Sequence, residues 1–221
     1  MRTKTILAIV IALAIMAVPV AAQAAMLRVT SAAQPFLGNL EWNVGSTQSY
    51  SDVDGNAYPL AANTALGQLV AGTAFTSTPL RVQEFAGLGP YVAKIGRVKV
   101  PATGSWMLFV NSKAAQTGAL SVILKKSDRV LWVLDLNYAK KGPFVLNMNA
   151  ITLANGDIRA KVTRIGGTKP TAAAGAGIYI DGKKVATTNK QGFVRFTPSG
   201  TDWNVLQAKM TGSISSQLLP N

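Results

Sequence analysis

Two short apolar runs dominate the hydrophobic pattern of this chain. Residues 104–111, Gly-Ser-Trp-Met-Leu-Phe-Val-Asn, are answered by residues 127–134, Ser-Asp-Arg-Val-Leu-Trp-Val-Leu. Both are bounded by turn formers and read as strands. Trp106, Leu108 and Val110 share one face, with Met107, Phe109 and Asn111 opposite; Val130, Trp132 and Leu134 oppose Leu131 and Val133. A strand with one wet face alternates apolar and polar residues. These barely alternate, so both belong in the middle of a sheet covered on each side. A lid for one side is at hand. Asn63 is a good N-cap, residues 64–71 carry a helical stripe of Leu66, Leu69 and Val70, and Gly72 ends it.

Around this centre the pattern is less regular. Residues 26–30 make an opening strand, 34–39 a loop with Pro35 and Gly38, and 41–44 a short strand. Residues 80–86 fit a helix or a strand equally well. After the polar, basic, turn-rich stretch 138–143 the strand signals become regular: 144–148, 150–153, 157–165, 177–180, 183–187, 192–197, 204–210 and 213–218. Asp181-Gly182 is a two-residue hairpin turn. So many short strands in so few residues predict a small antiparallel β-sandwich. The fold class expected is mainly β: a small α+β body with one short helix over residues 26–138, then a β-sandwich over 143–221.

The first 24 residues have a different character. Arg2 and Lys4 precede an unbroken apolar run from Ile6 to Val18, Pro19 breaks it, and Ala22-Gln23-Ala24 supplies a small-x-small site. This is the pattern of a secretory signal peptide cut between Ala24 and Ala25, and no second apolar span follows. The expected product is exported, in the medium or at the cell surface.

Composition narrows the chemistry. The chain has no Cys and no His, which removes disulfides, thiolate nucleophiles, the commonest metal ligand and the usual general base. The nine Asp and Glu residues show no acid–base spacing. Asp52-Val53-Asp54-Gly55-Asn56 invites a calcium-loop reading, but the sixth position is Ala57 and the twelfth Asn63, so a turn between strands is preferred. No enzymatic function, metal or cofactor is expected. The formal charge of +13, or +11 once Arg2 and Lys4 leave with the leader, is scattered. Export argues against nucleic acid, and a basic surface suits an anionic cell-envelope polymer or a surface protein. Arg159 and Lys161 share one strand face and could meet an anion.

Four ordered blocks carry a family resemblance: Asn-Thr-Ala-Leu-x-x-Leu from Asn63, Gly-Pro-Tyr-Val-x-x-Ile-Gly from Gly89, Gly-Ser-Trp-Met-x-Phe-Val-Asn from Gly104, and Ser-Asp-Arg-Val-Leu-Trp from Ser127. Together they resemble the transcobalamin C-terminal-like domain of prokaryotic surface proteins, which implies a β-grasp-like fold. Ser112 and Ser127 stand where that family has Gly, which puts two turns in question. Residues 176–196 resemble immunoglobulin-like or carboxypeptidase-regulatory-like surface modules, which implies a spacer or adhesive unit. In vitamin-B12 carriers the related domain closes over one face of cobalamin, so the resemblance implies a corrinoid as an alternative ligand. The candidate binding residues are Tyr91, Trp106, Asn111 and Trp132. The two tryptophans suit the core better than a ligand platform, and Asn111 sits where an amide ties down a turn. A non-catalytic binding or structural protein is the leading expectation, with a small-molecule carrier as the alternative.

Overall fold

A computed structural model describes residues 24–31, 35–43, 48–52, 54–85, 89–98, 100, 102–135, 144–166 and 169–221. The leader and the expected boundary at 138–143 lie outside them. The first part holds β1 (Ala24–Thr30), β2 (Pro35–Asn43), β3 (Gln48–Ser51), β4 (Ala57–Leu60), α1 (Ala65–Phe75), β5 (Leu80–Phe85), β6 (Gly89–Ile95), β7 (Ser105–Val110), β8 (Lys113–Ala114) and β9 (Arg129–Asp135). The second holds β10 (Phe144–Thr152), β11 (Ile158–Ile165), β12 (Thr171–Ala172), β13 (Gly177–Ile180), β14 (Lys183–Thr187), β15 (Phe193–Phe196), β16 (Val205–Lys209), β17 (Ser213–Ile214) and β18 (Leu219–Pro220). Among the described residues the fold is mainly β with one short helix, as the pattern predicts.

The two apolar runs are neighbours at the middle of one sheet, ordered β2-β1-β9-β7-β8. β9 pairs antiparallel with β7, Trp106 opposite Leu134 and Phe109 opposite Leu131, and parallel with β1. A hairpin, a helix and a second hairpin, with the first and last strands parallel at the centre, make a β-grasp-like arrangement. Residues 35–39 are not the expected loop: they begin β2. Pro35 is the first residue of that strand, where a missing N–H is tolerated. Between Val29↔Leu37 and Leu27↔Leu40, three steps along β2 oppose two along β1, so Gly38 and Asn39 form a bulge. Residues 80–85 resolve as a strand, hairpinned to β6.

Helix α1 covers one face of this sheet. Its cap is Thr64, one residue beyond the expected Asn63; Thr64 Oγ1 accepts the Gly67 N–H at 3.0 Å. The helix runs past Gly72 to Phe75, because Gly72 is buried inside it rather than free to turn. The left-handed Ser77 (φ 51°) follows the final turn instead. A Cβ on Gly67 would stand 2.5 Å from the Ala61 carbonyl oxygen, so glycine there permits close packing of the helix start. Leu66 and Leu69 pack with Leu27, Val29, Trp106, Leu108, Trp132 and Leu134 in one buried cluster. Gln68, fully buried, donates from Nε2 to the Ala25 carbonyl at 2.7 Å and ties helix to sheet.

The second part is two facing sheets, β12-β11-β10-β17 with β15 also on β11, and β14-β13-β16-β18. Met148, Ile158 and Val162 meet Ile178, Leu206 and Ala208 between them. The expected strands 144–148 and 150–153 are one strand, β10, and the expected strand 213–218 shortens to β17. That strand runs parallel to β10, the one exception to antiparallel pairing in this sandwich among the described strands. At the β13–β14 turn Asp181 and Gly182 both have positive φ (47° and 82°), the backbone a two-residue hairpin requires.

A third buried cluster joins the two bodies. Phe109, Leu131 and Val133 of the first sheet pack against Val145, Ile165 and Ile214 of the second. This is the cover on the other face of the central strands. No helix among the described residues is long and apolar enough to cross a membrane.

Candidate functional site

The structure disperses the four residues singled out from sequence. Trp106 (8% exposed) and Trp132 (3%) sit in the helix-side core, where neither ring offers a face to a ligand. Asn111 occupies the β7–β8 turn at φ 50°; its Nδ2 donates to Asp128 Oδ1 at 2.7 Å and its Oδ1 accepts the Arg129 N–H at 3.0 Å. It is a latch between two turns, and Asp128 continues it by accepting the Lys125 N–H at 2.7 Å. Tyr91 is exposed at 43%, on the β5–β6 hairpin, and its hydroxyl donates to Gln83 Oε1 at 2.7 Å. Ser112 and Ser127 adopt the left-handed backbone (φ 68° and 69°) that glycine favours, so these turns keep a glycine-like shape with serine in it.

Asp52 does what an Asp in a tight turn does. Its Oδ1 accepts the N–H groups of Asp54 and Asn56 at 2.9 and 2.8 Å, and its Oδ2 accepts Asn56 Nδ2 at 2.9 Å. The Asn56 side chain leads in holding its carboxyl below the ordinary range. The Tyr58 hydroxyl lies between Glu84 Oε2 at 2.6 Å and Asp52 Oδ2 at 3.0 Å, and Glu84 first, then burial and Asp52, push its pKa up.

One concave feature among the described residues lies elsewhere, between the two bodies. β1 and β9 present Met26, Arg28, Thr30, Arg129 and Leu131 on the face turned away from α1, because Leu27, Val29 and Val130 take the helix side. β10 crosses opposite them. The cleft they leave has a volume of about 320 Å³, with Leu131 in its buried wall and Ile151, half exposed, at its rim. Its polar groups among the described residues are Arg28, Arg129, Asn147, Asn149, Gln217 and Ser112.

Three of these polar groups are held by backbone or amide. Arg28 lies opposite the bulge at Gly38 and Asn39. It reaches across the interface, Nη2 donating to the Ser215 carbonyl at 2.6 Å and Nη1 to the Leu146 carbonyl at 3.4 Å. Burial away from water pulls its pKa down to about 10. Arg129 Nη1 donates to Asn149 Oδ1 at 2.7 Å. Gln217 acts as a substitute strand: Nε2 donates to the Met148 carbonyl at 2.6 Å while Oε1 accepts the Met148 N–H at 3.4 Å. The site is rich in N–H donors and partly apolar. Such a lining suits recognition of a small molecule with hydrogen-bond acceptors.

Sequence reading missed this site. The available signal was Arg28, a charge between Leu27 and Val29 in a strand destined for the sheet centre. Arg129 was visible only as one of many scattered cations. No family model matches this chain, and no curated protein gives a significant match.

Proposed function

We propose that this chain is an exported, non-catalytic binding protein of the cell surface or medium, with its binding site in the cleft between its two β bodies. The observation that carries this reading is the cleft itself. Arg28, Arg129 and Asn147 line it beside the apolar Met26, Ile151 and Leu219, and Arg28 of the first body bonds two carbonyls of the second. The export half rests on the leader sequence, Arg2 to Ala24. Arg159 and Lys161, both exposed on β11, support a looser role in meeting an anionic envelope polymer. Lys161 Nζ stands 4.9 Å from the Phe193 ring centroid, which holds one of these charges in place.

Two experiments test the reading. Fractionation with mass spectrometry of the N-terminus should find the protein outside the cytoplasm, beginning at Ala25; a cytoplasmic protein beginning at Met1 would refute export. A thermal-shift screen should compare the wild type with Ile151→Trp, which fills the cleft rim from a half-exposed position. Compounds that raise the wild-type midpoint and leave the variant unmoved support the cleft. A broad library in which no compound separates the two proteins would contradict it.

A further inference from the structure

We infer that a second site, on the first body and separate from the cleft, binds a tetrahedral oxyanion, a phosphate or sulfate group. It is the hollow beside the β5–β6 hairpin, with a volume of about 300 Å³, lined by Arg81, Gln83, Lys94 and Arg97 together with Val98 and Val100. It shares no lining residue with the cleft, so failure of either reading leaves the other standing.

The first ground is how the backbone gathers the cations. Arg81 pairs with Lys94, but Val82 pairs with Val92, so Ala93 is the extra residue of a bulge. A bulge shifts the alternation of faces beyond it and re-aims side chains. Val92 and Ile95 are both buried, and Lys94 comes out opposite Arg81. Gly96, at φ 70°, then turns the chain, its N–H donating to the Pro79 carbonyl at 2.7 Å. Arg97 follows into the same hollow. Val98 and Val100 pack against the helix-side core and fix the wall.

The second ground is charge. Like charges directly opposite on a sheet repel, and Arg81 faces Lys94 with Arg97 lining the same hollow. Among the described residues none of the three is ion-paired. Of the chain's Asp and Glu side chains all but Glu41 are described, and none of those described lines the hollow. Glu84 shares the face of Val82, not that of Arg81, and accepts the Tyr58 hydroxyl at 2.6 Å. Glu41 belongs to β2, and β1 and β9 stand between β2 and β7, the strand that β6 lies against. That is three strand spacings, about 14 Å, more than a Glu side chain spans. Two guanidinium forks and one ammonium around a hollow suit the several oxygens of a phosphate or sulfate. Arg81 and Arg97 are exposed and Lys94 half-buried, so the hollow is open to a group carried on a larger molecule.

Calorimetric titration of the mature wild-type protein with pyrophosphate, sulfate and polyphosphate, at constant ionic strength, tests this. At least one should bind saturably. Tighter binding of polyphosphate than of pyrophosphate assigns the group to a polymer, and equal affinity assigns it to a small ester. Arg81→Gln with Arg97→Gln should weaken the preferred anion at least about tenfold, the loss of one charged contact or more. Lys183→Gln with Lys184→Gln removes the same charge from exposed positions on β14 of the second body and should leave the affinity unchanged. Arg97→Gln alone, outside the strands, should weaken binding in the same direction. Without anion, the thermal midpoint of Arg81→Gln should hold or rise, because a cross-strand repulsion is removed. Equal weakening in both double variants would make the binding diffuse attraction to a basic protein and overturn the site. Absence of saturable binding by all three anions would overturn it as well, and a lowered midpoint in Arg81→Gln would count against it by giving that arginine a structural role.

Discussion

Trp132 and Val133 are consecutive residues of β9 that face different cores. Trp132 packs under α1 with Leu66 and Leu69, while Val133 packs against Val145 and Ile214 of the second body. One strand is thus the floor of two interfaces, and its apolar run is as long as it is because each face is covered. The cleft opens at the near end of that strand, at the exposed Arg129.

Phe109 (5% exposed) reports on the interface between the bodies. Truncating a buried Phe costs roughly 3–5 kcal/mol. Phe109→Ala should lower stability in urea by about that amount and loosen the cleft. Loosening would appear as weaker ligand-induced thermal shifts than in the wild type. A variant as stable as the wild type would show that this cluster does not join the bodies.

The serines in left-handed turns are the next case. A non-glycine residue in that region costs roughly 1–2 kcal/mol, part of which glycine returns through its freer unfolded state. Ser112→Gly and Ser127→Gly should each stabilise by up to about 1 kcal/mol. Urea midpoints measure this. Loss of stability in both would mean the serine side chains contribute more than their backbone costs.

Acid should destabilise the second body through Asp157. Its carboxyl is held down to about 2 by Thr197, then Asn155 and Arg195, with distances of 2.6, 2.9 and 2.7 Å. The folded value is below the unfolded one. Its contribution is therefore complete above about pH 4 and is lost as pH falls toward 2. Asp52 titrates in the same direction but in the first body, so the comparison of wild type with Asp157→Asn isolates Asp157. Between pH 5 and pH 2.5 the wild-type melting temperature should fall more steeply than that of the variant. Parallel slopes would count against it.

The placement of the tryptophans is open to optical test. With Trp42→Phe and Trp203→Phe, emission comes from Trp106 and Trp132 alone. It should be blue-shifted, resist acrylamide quenching, and be unchanged by cobinamide beyond inner-filter loss. Strong quenching by acrylamide would expose the rings, and saturable quenching by cobinamide would restore a flat-ligand platform.

How much was legible in the sequence follows from where each signal lives. β7, β9, β13, β14 and the Asp181-Gly182 turn were readable because periodicity and turn chemistry are local. β2 was not, because Pro35 and Gly38 read as loop formers, whereas Pro35 starts the strand and Gly38 enters its bulge. Helix α1 overran Gly72 because tertiary burial of that glycine outweighs its weak local preference. Asn111 and Trp132 drew attention as aromatic or amide groups in a block pattern, yet one latches a turn and the other fills a core. The cleft was invisible because its walls come from residues 26–28, 129–131, 147–151 and 217–219, brought together only by the docking of two bodies.

Hydrogen exchange with mass spectrometry across a urea series tests that docking most directly. If β9 is the shared floor, amides of β9 and of β10 and β11 lose protection together at one urea concentration, and Phe109→Ala separates them. Protection of β10 and β11 that persists after β9 has opened in the wild type would contradict the account.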